Sequence, residues 1–481
     1  MPAIIPFYAA NDKKLNQLGD LELKDRRKRL ARYWRYYEGN HDRSLHISKT
    51  GIDYNVIINV AAQAIDKMVS FFIPKPPRII ILPVDSKPLD NTVSPQQEKI
   101  NEFWMFNTIE SSLLDIALSG FISGHVFLRL VHTGDVPTLG LIDPANITVY
   151  WDTTNIDKVV FYRLSWDVDP LDSHNKKKHI QDIVPVWLID KTMAESSFEQ
   201  AAIQEDLSLG WLILEYIRDG DRLTLIGMDR WEFEFPPIID WKNAQNPLFY
   251  YGQSDLKHVD LNDAINFIAS NMNKIIYHHA GPQTVLTGGN LPDDVVAGPD
   301  TIIKVPDKDA KLFNLEMQSE LEASMSLMDI LRSSFFAQIR VVDLATIKDK
   351  LARVTNFGVR MIHSDMLDMI MNKHVFYGRG INETTRRALI IMGEDENTLE
   401  KITTQFTDPL PTDSLEIIQA MEIEQRTGIL SRSTTAEQMG RNPKTEISKL
   451  EEEQNIDVLN QEPETPSNNV SRFNSNDDSS S

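Results

Sequence analysis

The chain has 481 residues, 41% hydrophobic and 25% charged, a balance that argues against global disorder and for two or more structural units. It has no cysteine, which excludes disulfides, thiolate metal sites and cysteine nucleophiles and fits assembly in a reducing cytoplasm. The formal net charge of −21 counts against a repressor or nuclease that grips phosphates, though not against a protein that holds DNA at local patches or lets it slide.

The opening Met1-Pro2-Ala3-Ile4-Ile5-Pro6-Phe7 is briefly apolar but has no basic leader, so no secretory signal is expected. No run approaches the roughly 18 apolar residues of a membrane helix. Leu23, Leu30, Trp34 and Tyr37 predict a helix over 20–37, strongly basic elsewhere and stopped by Gly39-Asn40-His41. A second helix is expected near 59–72, ending before Pro74, and a third near 96–120, interrupted or ended by Gly120 and Gly124. Short β-branched and aromatic runs follow: 126–128, 147–151, 159–164, 186–189, 211–214, 222–226 and the alternating 231–235. Turn residues at short intervals point to antiparallel meanders.

Helices then return. Ser254 is a plausible N-cap for a helix to about His279, some 26 residues and therefore about 39 Å long. Gly281-Pro282 ends it. An insert over 283–317 carries strand-like runs at 284–286 and 301–305. A second long helix is expected over about 319–340, with a stripe of Leu321, Met325, Met328, Leu331, Phe335 and Ile339. After a break at 341–350, a third runs through Leu351, Val354, Phe357 and Met361 to about His374. Thr434 with Glu437 matches a capping box, and 456–481 reads as a disordered acidic, Ser/Asn-rich tail.

The motifs of enzymes are missing: there is no G-x-x-x-x-G-K-[ST], H-E-x-x-H or G-x-S-x-G. Gly378-Arg379-Gly380 is a lone G-x-G that follows a helix, and the adjacent His278-His279 diverge on a helix and suit its terminus better than a metal. Among 70 Asp and Glu, pairs such as Asp293-Asp294 and Glu394-Asp395 are expected by chance. No catalytic residue, metal site or cofactor is expected. Arg26, Arg27 and Arg29, interleaved with Tyr33, Trp34, Tyr36 and Tyr37, form the one local patch suited to nucleic acid. In so acidic a chain the favoured reading is that the aromatics pack inward and the arginines pair with carboxylates.

The order of segments, together with several local phrases, resembles the portal proteins of tailed double-stranded DNA phages with long non-contractile tails. Tyr37-Glu38-Gly39-Asn40-His41 looks like that family's early Y-x-G-x-H stretch, and Tyr54–Asn59 with Ile65–Phe72 resembles the segment and helix that follow it. Ile142-Asp143-Pro144 looks like its D-P turn, Tyr251–Leu256 like the start of its first stem helix, and Gly428-Ile429-Leu430-Ser431 with Thr434 like the G-x-x-S-x-x-T of its crown. The resemblance spans about residues 30–455; Ile73-Pro74 and Phe357 before Gly358 depart from the usual pattern.

What the resemblance implies is an α+β, mainly helical portal fold: an antiparallel β-rich wing (1–253), first stem helix (254–280), clip (281–317), second stem helix (318–340), tunnel loop (341–350), long helix returning to the wing (351–405), crown (406–455) and tail (456–481). It implies a non-enzymatic ring, usually of twelve copies, at one capsid vertex, assembled in the host cytoplasm. Double-stranded DNA would pass through it. The expected partners are the terminase large subunit, a head–tail adaptor, and the major capsid and scaffold proteins, with no membrane. The tunnel loop would set Val342, Asp343, Leu344, Lys348 and Lys350 toward DNA. Opposite the apolar stripe, Glu322, Ser326, Asp329 and Ser333 present carboxylates and hydroxyls either to the tunnel, where they would repel phosphates, or to solvent or a neighbouring helix. The competing readings are a capsid-associated structural or scaffold protein without a DNA channel, and a nucleic-acid enzyme of unrecognised type.

Overall fold

The basic amphipathic stretch near the N-terminus forms α1 (Lys13–Tyr37), with Leu23 and Leu30 buried. The computed structural model describes residues 13–43, 51–82, 94–132, 134–152, 154–168, 177–189, 210–220, 222–244, 246–247, 249–280, 283–287, 311–315, 321–343, 356–410, 421–428 and 435. Residues 1–410 and 411–481 form separate units. In the second, residues 421–426 are helical and the Thr427 hydroxyl donates back to the Ile423 and Glu424 carbonyls. The capping box at Thr434 and the tail lie outside the described residues.

In the first unit, α2 (Val60–Phe72) is capped by Asn59, whose side chain accepts the Ala62 N–H. The expected helix over 96–120 is instead two, α3 (Pro95–Phe106) and α4 (Ile109–Ser123). An additional break falls at Asn107-Thr108, where the Asn107 side-chain amide donates to Pro137 O (3.1 Å) and accepts Leu139 N–H (2.7 Å) and Thr108 takes φ +48°; the second helix ends as expected at Gly124, φ +83°.

Beyond β1 (Arg78–Leu82), the β-rich region forms β2 (His125–Val131), β3 (Thr138–Leu141), β4 (Ile147–Trp151), β5 (Val159–Asp167), β6 (Lys178–Pro185), β7 (Trp211–Asp219), β8 (Arg222–Trp231) and β9 (Ile238–Lys242). β4 to β8 pair in chain order as a five-stranded antiparallel meander, and β3-β2-β9 make a second antiparallel sheet. Two expected strands fail. Residues 186–188 are a 3-10 turn after Pro185, which cannot continue the ladder. Of 231–235 only Trp231 is in a strand; its indole donates to Phe235 O (2.8 Å), folding the alternating run back on itself. Strand β6 escapes a hydrophobic-pattern reading because it buries polar groups: Asp182, opposite Arg163 on β5, takes a two-pronged bond from its guanidinium (2.7 and 2.7 Å). Both sheet faces carry apolar clusters. Ile147, Val149, Tyr162, Leu164 and Ile213 join the main core, and Tyr150, Phe161, Ile180, Leu212 and Leu214 form a second cluster.

A 3-10 turn over Asp255–His258 starts the helical part, and α5 (Val259–Ala280) follows it. Strands β10 (Gln283–Thr287) and β11 (Lys311–Leu315) pair antiparallel, and α6 (Leu321–Gln338) returns to pack on α5. The expected strand at 301–305 lies outside the described residues. The third long helix is α7 (Asn356–Ile362) and α8 (Ser364–Ile391), separated at His363. α8 runs well past 374 and takes Gly378-Arg379-Gly380 into its interior. A Cβ on Gly380 would lie 2.3 Å from the Trp241 ring, so the glycine admits a close helix–sheet contact and not a phosphate. β12 (Lys401–Gln405) pairs with β1 and closes the chain back onto its beginning. The architecture is thus α+β with antiparallel sheets.

Candidate functional site

The α5–α6 pair is held to the rest of the first unit chiefly through α5. Along one face of α5, Asn262, Asn266, Ser270 and Asn273 recur at helical spacing and bond the backbone of residues 54–58 and of the first turn of α2. Asn262 Oδ1 accepts Ala61 N–H (3.2 Å), Asn266 Oδ1 accepts Ile58 N–H (2.8 Å), Ser270 Oγ accepts Val56 N–H (3.0 Å), and Asn273 donates to Tyr54 O (3.0 Å). His41 locks the array. Its Nε2–H donates to Tyr36 O (3.0 Å), and its Nδ1 accepts from the Asn266 and Asn262 amides (3.0 and 3.3 Å). On the same helix Asp263 accepts the Tyr36 hydroxyl (2.5 Å), and Arg32 reaches Asp260 and Asp263 (2.5 and 3.2 Å).

The beginning of this helix is clamped. Gly124, at φ +83°, lies so close to the chain before Ser254 that a Cβ there would stand 2.5 Å from Ser254 N, and one on Gly252 would stand 2.3 Å from Gly124 O. Ser254 Oγ donates to Ile122 O (2.6 Å) and accepts Leu256 N–H (3.0 Å). From α8, buried Lys373 reaches Asp255 (2.8 Å) and Asn243 (2.7 Å); Asn243 also bridges Asp255 (2.9 Å) and the Tyr377 hydroxyl (3.0 Å). Burial pulls Lys373 below the usual lysine range, and Asp255 opposes that shift.

Beside the clamp, Asp240 gathers the His125 imidazole (2.8 Å) and the hydroxyls of Tyr162 (2.8 Å) and Tyr250. Burial would raise its pKa, but these donors outweigh it and hold the carboxyl low. Burial likewise holds His125 low, and its Nδ1 accepts Gly252 N–H (3.2 Å), so the ring is neutral. This His–Asp pair is largely buried, its side chains 3% and 11% exposed, and among the described residues no serine or threonine hydroxyl bonds it. Among the described residues, no group of three or more His, Asp or Glu is arranged to hold a metal ion.

The residues singled out from sequence fall in different surroundings. Glu322, Ser326, Asp329 and Ser333 are all exposed on α6. The apolar stripe is buried only where Phe335 and Ile339 enter the core; Met325, Leu327 and Ile330 stand 52%, 48% and 61% exposed in the single chain. At the root of the following loop, Asp343 is 8% exposed in its side chain and held by Arg332 (2.5 and 3.3 Å), and Lys67 donates to Val342 O (2.7 Å). Leu344, Lys348 and Lys350 lie outside the described residues. Of the N-terminal arginines, Arg26 is buried against the Tyr251 ring at 4.0 Å, and Arg27 bonds Ala145 O, Asn146 and Ser165 O (2.7, 3.0 and 2.5 Å). Arg29 is exposed. Trp34, Tyr36 and Tyr37 pack on the core or on Ser123, Asp263 and Asp66.

Reading for catalytic chemistry misses the Asn262-Asn266-Ser270-Asn273 ladder. Its visible signal is a run of Asn and Ser at helical spacing along α5. The Lys373–Asp255 pair, 118 residues apart, has no sequence signal.

A family model described as "Phage portal protein, SPP1 Gp6-like" matches residues 21–458. Among the curated proteins, none matches the chain.

Proposed function

The chain belongs to the SPP1 Gp6-like family of phage portal proteins, and from that premise we propose that it forms a ring of twelve copies at one capsid vertex, through which double-stranded DNA enters during packaging and leaves during ejection. The observation that carries this reading is α6. It leaves Met325, Leu327 and Ile330 exposed beside the equally exposed carboxylates and hydroxyls of Glu322, Ser326, Asp329 and Ser333. Large apolar side chains that a single chain leaves open on a helix anchored along its partner suit contact with the next copy in a ring. The acidic face suits a wall that phosphates do not adhere to.

In this reading α5 and α6 are the stem, residues 281–317 the clip that meets the terminase large subunit and the head–tail adaptor, and 341–350 the tunnel loop. Residues 1–253 form the wing, 406–455 the crown and 456–481 an acidic tail. The Arg332–Asp343 pair and the Lys67 bond fix the loop where it leaves α6, which suits a loop that must keep its register beside moving DNA. The family is structural and not enzymatic, so ATP hydrolysis falls to the packaging motor. No helix among the described residues is long and apolar enough to cross a membrane.

Electron microscopy of the purified protein, with mass measured in parallel, tests the proposal. Rings with a central hole are the expected result. A chain that stays monomeric or dimeric, including with capsid and scaffold proteins present, would overturn it in favour of a capsid-associated protein without a channel.

A further inference from the structure

Between the start of α5, the end of α6 and the middle of α8 lies a cavity of about 460 Å³. Its lining includes Lys257, Arg340 and Lys373 against a single carboxylate, Asp255, which Lys373 and Asn243 already engage. With His258 neutral, the lining carries a net positive charge inside a chain of −21. Burial first, and then the Lys257 ammonium, hold His258 below its ordinary range.

Arg340 is the informative residue. It follows α6 at φ +56°, and the bonds Arg340 N–H to Ala337 O and Val341 N–H to Phe336 O (3.1 and 3.0 Å) close the helix in the left-handed manner that favours glycine. An arginine there adds backbone strain that glycine would avoid. Its exposed guanidinium makes no hydrogen bond or ion pair among the described residues, so nothing in the described chain offsets that strain. Among the described residues Lys257 has only a long contact with Gln253 (3.4 Å), and Gln338 and Asn372 line the same cavity.

We propose that this cavity binds a phosphate group. Donors converge on it from three helices, which suits a tetrahedral anion with several acceptor oxygens better than a two-oxygen carboxylate. Arg340 supplies a fork and Lys257 a point charge. The phosphate belongs either to a free nucleotide or inorganic phosphate, or to a DNA backbone. The site is built within one chain and does not depend on the ring.

Calorimetric titration of the full-length protein with inorganic phosphate, thymidine 5′-monophosphate and a short DNA duplex tests it. Wild type binds inorganic phosphate, and Lys257→Gln and Arg340→Gln each weaken that binding roughly tenfold, the effect of losing one charged hydrogen bond. Arg340→Gly weakens it equally while raising the melting temperature, an outcome that damage to the fold cannot mimic. A stronger response to the duplex, lost in the same variants, identifies the backbone as the source; a stronger response to the nucleotide identifies a free ligand. Absence of binding by all three probes, or binding that both arginine variants leave unchanged, overturns the site. Ring formation is read separately by microscopy, so failure here leaves the portal proposal standing.

Discussion

At the residue scale, the consequential groups are buried ionisable ones whose partners come from distant segments. Asp240 holds three donors in a largely buried setting, and removing it by Asp240→Ala leaves them unanswered; a loss of about 3–5 kcal/mol in denaturant unfolding is expected. The pH dependence has a definite sign. His125 is depressed by burial, so the unfolded chain binds its proton more readily than the native one. The neutral-ring contribution is complete above the unfolded histidine value and is lost as pH falls below about 6.5 toward the depressed native pKa. The melting temperature of wild type therefore drops between pH 7 and pH 5, and His125→Gln starts lower at pH 7 but drops less. Lys373 and Asp255 act as one unit. Lys373→Met alone strands a carboxylate, whereas Lys373→Met with Asp255→Leu costs markedly less than the sum of the two single changes in a thermodynamic cycle.

At the element scale, α5 is fixed by side chains reading backbone, which makes its docking specific in register. A one-residue slip would take Asn262, Asn266 and Ser270 away from Ala61, Ile58 and Val56 together. Asn266→Ala leaves the Ile58 N–H unpaired and deprives His41 Nδ1 of a donor, with an expected cost of about 1–3 kcal/mol by chemical denaturation. The Gly124–Gly252 approach is the steric counterpart. Gly252→Ala forces the start of the helix away from α4, an overpacking expected to cost about 1–3 kcal/mol and to show as a lower melting temperature.

At the scale of the whole molecule, the open apolar face of α6 separates folding from assembly. Ile330→Asp changes a 61% exposed side chain. It should leave the melting curve of the isolated chain within about 0.5 kcal/mol of wild type, while abolishing rings in electron microscopy. Unaltered rings would place the subunit contact elsewhere. Asp329→Lys tests the wall: slower packaging is expected if α6 faces DNA, and an unchanged rate would remove the acidic face from the tunnel.

The sequence by itself determined the family, the antiparallel character of the β-rich region and the succession of helix, insert and helix, because each is written in local periodicity and in short phrases that share an order; β6 and β11 were not legible there. Val149 and Tyr162 announce strands through β-branching and aromaticity, and Ser254 announces a helix start through its capping oxygen. Only the tertiary structure decided which polar residues are internal. Asp182, Lys373 and Arg26 are buried by the segments that close around them: Arg163 on the neighbouring strand, Asn243 and Asp255, and the Tyr251 ring. It also decided that Gly380 sits inside a helix against Trp241 and that Asn107, not Gly120, divides α3 from α4. The physical reason is common to all of them. A side chain's role follows from the dielectric and the partners around it, and those are set by the segments that pack against it, not by its neighbours in sequence.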